Sequence, residues 1–196
     1  GVPELRALGP TTGLVHVSSI VSAEILRAFS LCFALAAVAA GLCVALWLRS
    51  LPLGLLSVLP NVLPITAVGS LMWLTGIPLD FTSGIALTIA FGIAVDDTVH
   101  LINRIRSESH GSDWTEASVL AALRGIGPTL VMTSAILIGG ISSTVLSSLP
   151  SLATFGALTI AVFCLALVAD LLLLPALFVW HLRRRARRTQ ASPVQT

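Results

Sequence analysis

Two adjacent carboxylates, Asp96 and Asp97, lie in a stretch that otherwise reads as a membrane span, FTSGIALTIAFGIAVDDTVHLINRIR, from Phe81 to Arg106. Between Phe81 and Val95 there is no charge, and apolar residues resume after the pair until Arg104 and Arg106 end the run. A span takes roughly 20 residues at about 1.5 Å each, so Asp97 sits roughly 11 Å inside the arginine-marked boundary. Placing a charge there costs on the order of 3 kcal/mol or more, which makes function the first reading of such a residue. His100 follows Asp96 by four and Asp97 by three, within reach of either on one helix face. Low dielectric and a neighbouring carboxylate both favour the protonated form of an acid, and the chain has no Lys to neutralise the pair. Carboxylates that gain and lose a proton inside a membrane can pass it on, so Asp96 and Asp97 are the candidate proton relay.

Depth adds further groups. Counted from the nearest arginine or histidine marker, Asp97 is seven residues in, Thr133 nine and Asp170 eleven. These positions agree to roughly 6 Å. Three separate segments therefore bring polar groups into one layer, and His100, Thr133, Ser134 and Asp170 are expected to support the pair. A carboxylate facing acyl chains has no partner, so one of the two aspartates is expected to reach Thr133 or Ser134, directly or through one water, with Asp170 farther off. Gly139 and Gly140 would let helices approach closely near that layer.

The elements that hold these residues follow from composition. Of the 196 residues 56% are hydrophobic and only 10% charged, with a mean hydropathy of +0.98, whereas soluble domains carry about 25% charged residues. An all-α, multi-pass membrane protein with five helices is expected, with spans at about 29–48, 51–77, 81–103, 128–146 and 153–180. Residues 1–20 read as the end of a preceding extramembrane region and 183–196 as a basic, then disordered tail. The second span contains LPNVLP, and each proline removes a backbone donor. That break suits either a kinked packing helix or a cavity lining. Residues 113–124 read as a separate amphipathic helix on the bilayer surface, with Asp113 and Glu116 at capping-box spacing and Gly125 as its C-terminal cap. Cys32, Cys43 and Cys164 fall in apolar runs without metal-ligand or disulfide spacing, and they read as packing residues. No metal or cofactor is expected, and nothing in the pattern points to nucleic acid.

Charge asymmetry fixes orientation. Arg49, Arg104, Arg106, Arg124 and the five arginines from Arg183 to Arg188 fall on one side, while only Arg6 and Arg27 fall on the other. The positive-inside rule then expects a cytoplasmic C-terminus and an outside N-terminus.

The segment FGIAVDDTVHLINR resembles the fourth-helix motif of the resistance–nodulation–division (RND) superfamily, and is most similar to its MMPL-type and hopanoid- or lipid-exporter-like branches. LRSLPLGLLSVLPNVLPITAVG, GIPLDFTSGIALTIAFGIAVDDTVH and ADLLLLPAL resemble further segments of that group, so the likeness covers roughly residues 12–182. It implies the five helices that close the second half of an exporter. The missing N-terminal half and periplasmic domains would be its partners, protons and membrane lipids its surroundings, and a lipid or other hydrophobic molecule its substrate. It also allows a homo-oligomer in a bacterial inner membrane. The family's relay aspartates correspond to Asp96 and Asp97. The drug-efflux branch pairs its aspartates with a lysine that this chain lacks, which leaves His100, Thr133 and Ser134 to serve instead. Two other readings compete with a proton-driven exporter. A sterol-sensing-like sensor or scaffold half shares the five-helix layout and needs no proton flux. An intramembrane aspartyl protease needs two aspartates, but the GxGD and YD signatures are absent and Asp170 shares a helix with Pro175-Ala176-Leu177.

Overall fold

The computed structural model describes residues 11–77, 80–109 and 114–190, without the side chains of 11–23, 25–26 and 188–190. The described residues form helices joined by short turns: α1 (Thr11–Leu48), α2 (Leu51–Thr75), α3 (Phe81–Glu108), α4 (Glu116–Val145), α5 (Pro150–Val168), a π-helical segment (Ala169–Leu173) and α6 (Leu174–Gln190). Five stretches are long and apolar enough to cross a membrane: Arg27–Leu48, Leu51–Thr75, Phe81–Glu108, Glu116–Val145 and Pro150–Arg187. The chain is thus an all-α, five-span membrane protein.

Large apolar residues such as Leu31, Leu55, Trp73 and Leu146 stay exposed on the outside of the bundle. In a bilayer that surface is solvated by acyl chains, so association depends on close packing and internal polar bonds. Two apolar clusters make up the interior. One joins Ile65, Val68 and Met72 of α2 to Ala86, Ala90 and Phe91 of α3 and to Leu158, Val162 and Phe163 of α5. The other joins Leu53 of α2, Leu101, Ile102 and Ile105 of α3, Val119, Ala122 and Leu130 of α4, and Leu174 and Phe178 of α6. Between the two clusters α2, α3 and the π segment contribute the buried polar residues Ser57, Asn61, Thr98 and Asp170.

Several boundaries differ from the sequence reading. Residues 11–20 belong to α1, while residues 1–10 lie outside the described residues. There is no separate surface helix at 116–124, because these residues are the first turns of α4. Gly125 does not end the helix. A Cβ there would stand 3.3 Å from the Arg104 guanidinium, so the glycine gives room to a packed side chain. Val119 and Ala122 are buried, which holds the segment against α3 and α6. The capping box joins Thr115 and Ser118 instead of Asp113 and Glu116, and Asp113 lies outside the described residues. Trp114 packs on Phe178 with ring centroids 5.7 Å apart. Helix α2 runs through both Pro60 and Pro64. The three cysteines are exposed on the outer surface and free, which corrects their reading as packing residues.

One end of the bundle gathers the arginines. Arg106 lies over the Trp47 ring at 5.1 Å and donates to the Trp47 carbonyl at 3.2 Å. Arg104 pairs with Glu108 at 2.6 Å. Arg183 of α6 forks onto both Glu116 oxygens at 2.7 Å, tying the last helix to the start of α4.

Two turns carry testable weight. Gly54 lets α2 lie directly on α1, for a Cβ there would sit 2.6 Å from Ala45 Cα and 2.7 Å from its nitrogen. Gly54→Val is expected to cost 1–3 kcal/mol or more on the usual scale of about that size for overpacking. Gly69→Ala, with nothing within 4 Å, should leave thermal stability in detergent unchanged. At the other end of the molecule Asp80 caps α3. Partial burial pushes its pKa up, but bonds from the Ser83 hydroxyl and amide, each 2.7 Å, outweigh this and hold it below 3.8. A carboxylate with a lowered folded-state pKa stabilises fully above its unfolded value and loses that contribution as pH falls through the folded value. Asp80→Ala should therefore cost about 1 kcal/mol at pH 7. The gap between variant and parent melting temperatures should close below about pH 4.

Candidate functional site: a polar layer inside the bundle

Thr98 is the centre of the layer. It follows the two aspartates on α3 and is 1% exposed, pointing into the bundle where Asp96 points out. Its Oγ1 lies 2.6 Å from Asp170 Oδ1 and 3.1 Å from Asn61 Oδ1. Asp170 is 1% exposed and Asn61 3%. Asn61 in turn donates from Nδ2 to the Ser57 carbonyl one turn back on α2, at 2.8 Å, and Ser57 Oγ donates to the Gly54 carbonyl at 2.7 Å. Three helices thus meet in one hydrogen-bonded layer between two apolar clusters. A cavity of about 10 Å³ adjoins Ser57, Asn61 and Thr98, room for about one water.

Local sequence explains how Asp170 reaches this layer. Pro175 cannot donate to the carbonyl of Leu171, and its ring would clash with that carbonyl in a regular α-helix. The turn before it opens into the π segment, in which Leu174 N–H bonds to Ala169 O. The opened turn contains Asp170 and turns it inward.

The sequence-derived residues divide into those the layer contains and those it does not. Asp170 is buried in it, and its partner is the Thr98 hydroxyl from α3. Asp97 is half-buried and directly precedes Thr98. Asp96 faces outward, its side chain 71% exposed, with His100 Nε2 at 3.6 Å and equally outward. Thr133 is exposed and donates to the Leu130 carbonyl of its own helix at 3.1 Å. Ser134 is buried. Among the described residues neither bonds directly to Asp96 or Asp97. Equal depth places groups at one level, but the helix face decides whether they meet. Gly139 and Gly140 have nothing within 4 Å of a built Cβ, so neither mediates close packing within the bundle. The expectations missed Thr98 and underused Asn61. The available signals were the threonine directly after the acidic pair and the only amide in the second span.

A second feature lies at the end of the bundle away from the arginines. A cavity of about 610 Å³ opens between α1, α2 and α3, lined by Phe29, Phe33, Ile65, Met72, Trp73 and Leu87 with the hydroxyls of Ser30, Thr66 and Thr88. Among the described residues no group of three or more His, Cys, Asp or Glu could hold a metal ion.

The sequence profile of the MMPL family matches residues 55–193. The chain belongs to the MMPL family. It also is 29% identical over 126 residues to a putative membrane protein of Methanocaldococcus jannaschii, covering 64% of this chain and 32% of that protein. It is 29% identical over 198 residues to the multidrug resistance protein MdtC of Salmonella newport and of Salmonella enteritidis, covering 96% of this chain and 19% of those proteins. This MMPL chain therefore spans about a third and about a fifth of the length of the curated relatives it matches. No solved structure matches it. The acidic pair and the Asp170 layer lie inside the matched residues.

Proposed function

We propose that this chain is the membrane portion of a proton-driven RND-type exporter, with Asp96 and Asp97 as the proton relay and a lipid or other hydrophobic molecule as substrate. The observation that carries the reading is a buried hydrogen-bonded layer, Asp170 with Thr98 and Asn61, immediately beside half-buried Asp97 within a span. Carboxylates in such a layer favour the neutral form, and a proton that binds and leaves there changes which bonds hold the helices. One proton crossing 100 mV supplies roughly 2.3 kcal/mol, enough to shift a bundle held by a few buried bonds. Asp96 and His100 face the surface that the remainder of the transporter would cover, since a carboxylate has no partner among acyl chains. His100 then supports Asp96, and Asp170 supports Asp97. Thr133 and Ser134 serve packing in this reading. Likeness to a protein named for multidrug resistance supports export, and the MMPL assignment favours transport over proteolysis. The apolar cavity between α1 and α3 supports a hydrophobic cargo.

That same cavity favours one second reading, a sterol-sensing-like half that binds a lipid without passing protons. The two part on proton flux. In the full-length protein reconstituted in liposomes, Asp97→Asn is expected to reduce proton-coupled export of a fluorescent hydrophobic substrate at least about tenfold, a loss of about 1.4 kcal/mol or more of coupling. Undiminished export by Asp96→Asn, Asp97→Asn and the double variant would remove the relay.

The arginine asymmetry supports a bacterial inner-membrane location with the arginine-rich end in the cytoplasm. A cysteine at exposed Ser107, near the end of α3, is expected to resist a membrane-impermeant maleimide in intact cells and to react once they are opened. Labelling in intact cells would reverse the orientation.

A further inference from the structure

The polar layer holds more chemical information than its distances, because each of its atoms has a fixed donor and acceptor capacity. The Ser57 carbonyl only accepts, so the Asn61 atom 2.8 Å from it must be the amide nitrogen. That leaves Asn61 Oδ1 facing Thr98 at 3.1 Å. An amide oxygen also only accepts, so the hydrogen in that contact must come from the Thr98 hydroxyl. Thr98 has one hydrogen for these two contacts, and with it on Asn61 Oδ1 the hydroxyl oxygen is left only as an acceptor. The 2.6 Å contact between Thr98 Oγ1 and Asp170 Oδ1 still needs a hydrogen between its two oxygens. A carboxylate cannot supply one, but a carboxylic acid can, and a donating acid suits that separation as well as an accepting carboxylate does.

We infer that Asp170 carries a proton in this conformation and that Thr98 and Asn61 form a switch reading it. With the proton present, one directional chain runs from the Asp170 hydroxyl to Thr98 and from Thr98 to Asn61, linking the π segment, α3 and α2. When the proton leaves, the Thr98 hydrogen turns to the ionised carboxylate, which is the stronger acceptor. Asn61 Oδ1 then loses its donor, and the link between α2 and α3 at this level is broken. Thr98 and Asn61 are positioning residues: they convert a proton on Asp170 into a contact between helices.

The proton needs a destination, and few groups offer one. Helix α2 has no ionisable residue, α4 has only Glu116 and Arg124 in its first turns, and α5 has only the exposed Cys164. On α6, His181 and the arginines lie beyond the apolar stretch that follows Asp170. Asp97 of α3 directly precedes Thr98, the residue that touches Asp170. The proton passes from Asp170 to the Asp97 carboxylate, leaving Asp170 ionised and Asp97 neutral, so the pair keeps one proton and one negative charge. Half-buried Asp97 then exchanges it with water. The switch rests on the transport reading for its purpose, but its test does not depend on transport.

The test is infrared difference spectroscopy of the full-length protein in lipid membranes at neutral pH. Asp170→Asn is expected to remove a protonated-carboxyl C=O stretching band. Thr98→Val should leave that band present but shift it to higher frequency, because the acid loses its acceptor, and Thr98→Ser should restore the parent frequency. Spin labels at exposed Leu55 of α2 and Asn103 of α3 should move apart over the pH range in which the band disappears, and Asn61→Leu should abolish that movement. If Asp170→Asn removes no such band, or Thr98→Val leaves its frequency unchanged, Asp170 is not the donor and the switch is wrong. If the label distance stays constant while the band titrates, Thr98 and Asn61 do not transmit the proton. Should Asp170→Asn fail to fold, the two Thr98 variants decide alone. Normal export by Asp97→Asn with the band behaving as stated would remove the transport reading and leave the switch standing.

Discussion

Inside a bilayer a polar side chain must find its partner within the protein, and this bundle is arranged around meeting that demand at one level. Asp170, Thr98 and Asn61 come from three segments far apart in the chain, and Thr98 lies within hydrogen-bond distance of both others. Apolar packing alone would not fix that register. Helix–helix association in lipid gains little from burying apolar surface, because acyl chains are as apolar as leucine. The clusters on either side of the layer could slide by a fraction of a turn at small cost. The layer could not, since a buried amide or carboxyl without a partner costs about 1–3 kcal/mol. Thr98 therefore sets where α3 stands against α2 and against the π segment, and the clusters fill in around that choice.

The same rule gives the opposite result one residue earlier. Asp96 and His100 meet each other at 3.6 Å and face away from the bundle. Neither could face lipid without a penalty of several kcal/mol. A face that carries a carboxylate and an imidazole at membrane depth belongs against protein or water. Helix α4 adds Thr133, Gly139 and Gly140 to the exposed surface, and the glycines lie against nothing in this bundle. The chain's length against its relatives agrees with such an unfinished surface, and the remainder of the proposed transporter would finish it.

The five spans were legible in the sequence because a run of twenty apolar residues has one explanation. The MMPL likeness was legible because the acidic pair, the LPNVLP segment and ADLLLLPAL recur along one chain in order. Site partners were legible only to the level of depth. Counting residues from an arginine gives height in the membrane to within a turn. It does not give the direction in which a side chain points, which changes by about 100° per residue. Thr133 thus has the expected height but faces outward in this bundle, whereas Thr98 was hidden by its neighbours, two carboxylates that drew the attention a threonine did not. Asp170 was misjudged for a further reason: its direction depends on a π turn, and a single extra residue in a turn leaves no periodic trace. The helix break expected at Gly125 failed because glycine permits a break without requiring one, and here it makes room for Arg104.

The π turn also sets what lies beyond it. An extra residue in a helix rotates everything downstream by about 100° and shifts it by about 1.5 Å relative to an uninterrupted α-helix. Because α5 runs through the π segment into α6 as one rod, that rotation decides which side of α6 faces inward. In the observed register Leu174 and Phe178 are fully buried, Phe178 lies under Trp114, and Arg183 meets Glu116. With the turn closed to regular α geometry, Phe178 would swing out toward lipid and Arg183 would leave Glu116. Pro175 resists closure by its ring, and Asp170 resists it by its bond to Thr98. The proline is permanent, while loss of the carboxyl proton reverses which partner donates in the Thr98 bond and leaves a charge at the π turn. A change at Asp170 is thereby placed to act through one rigid helix on the ion pair at the arginine-rich end, and the start of α4 is the next element in that line.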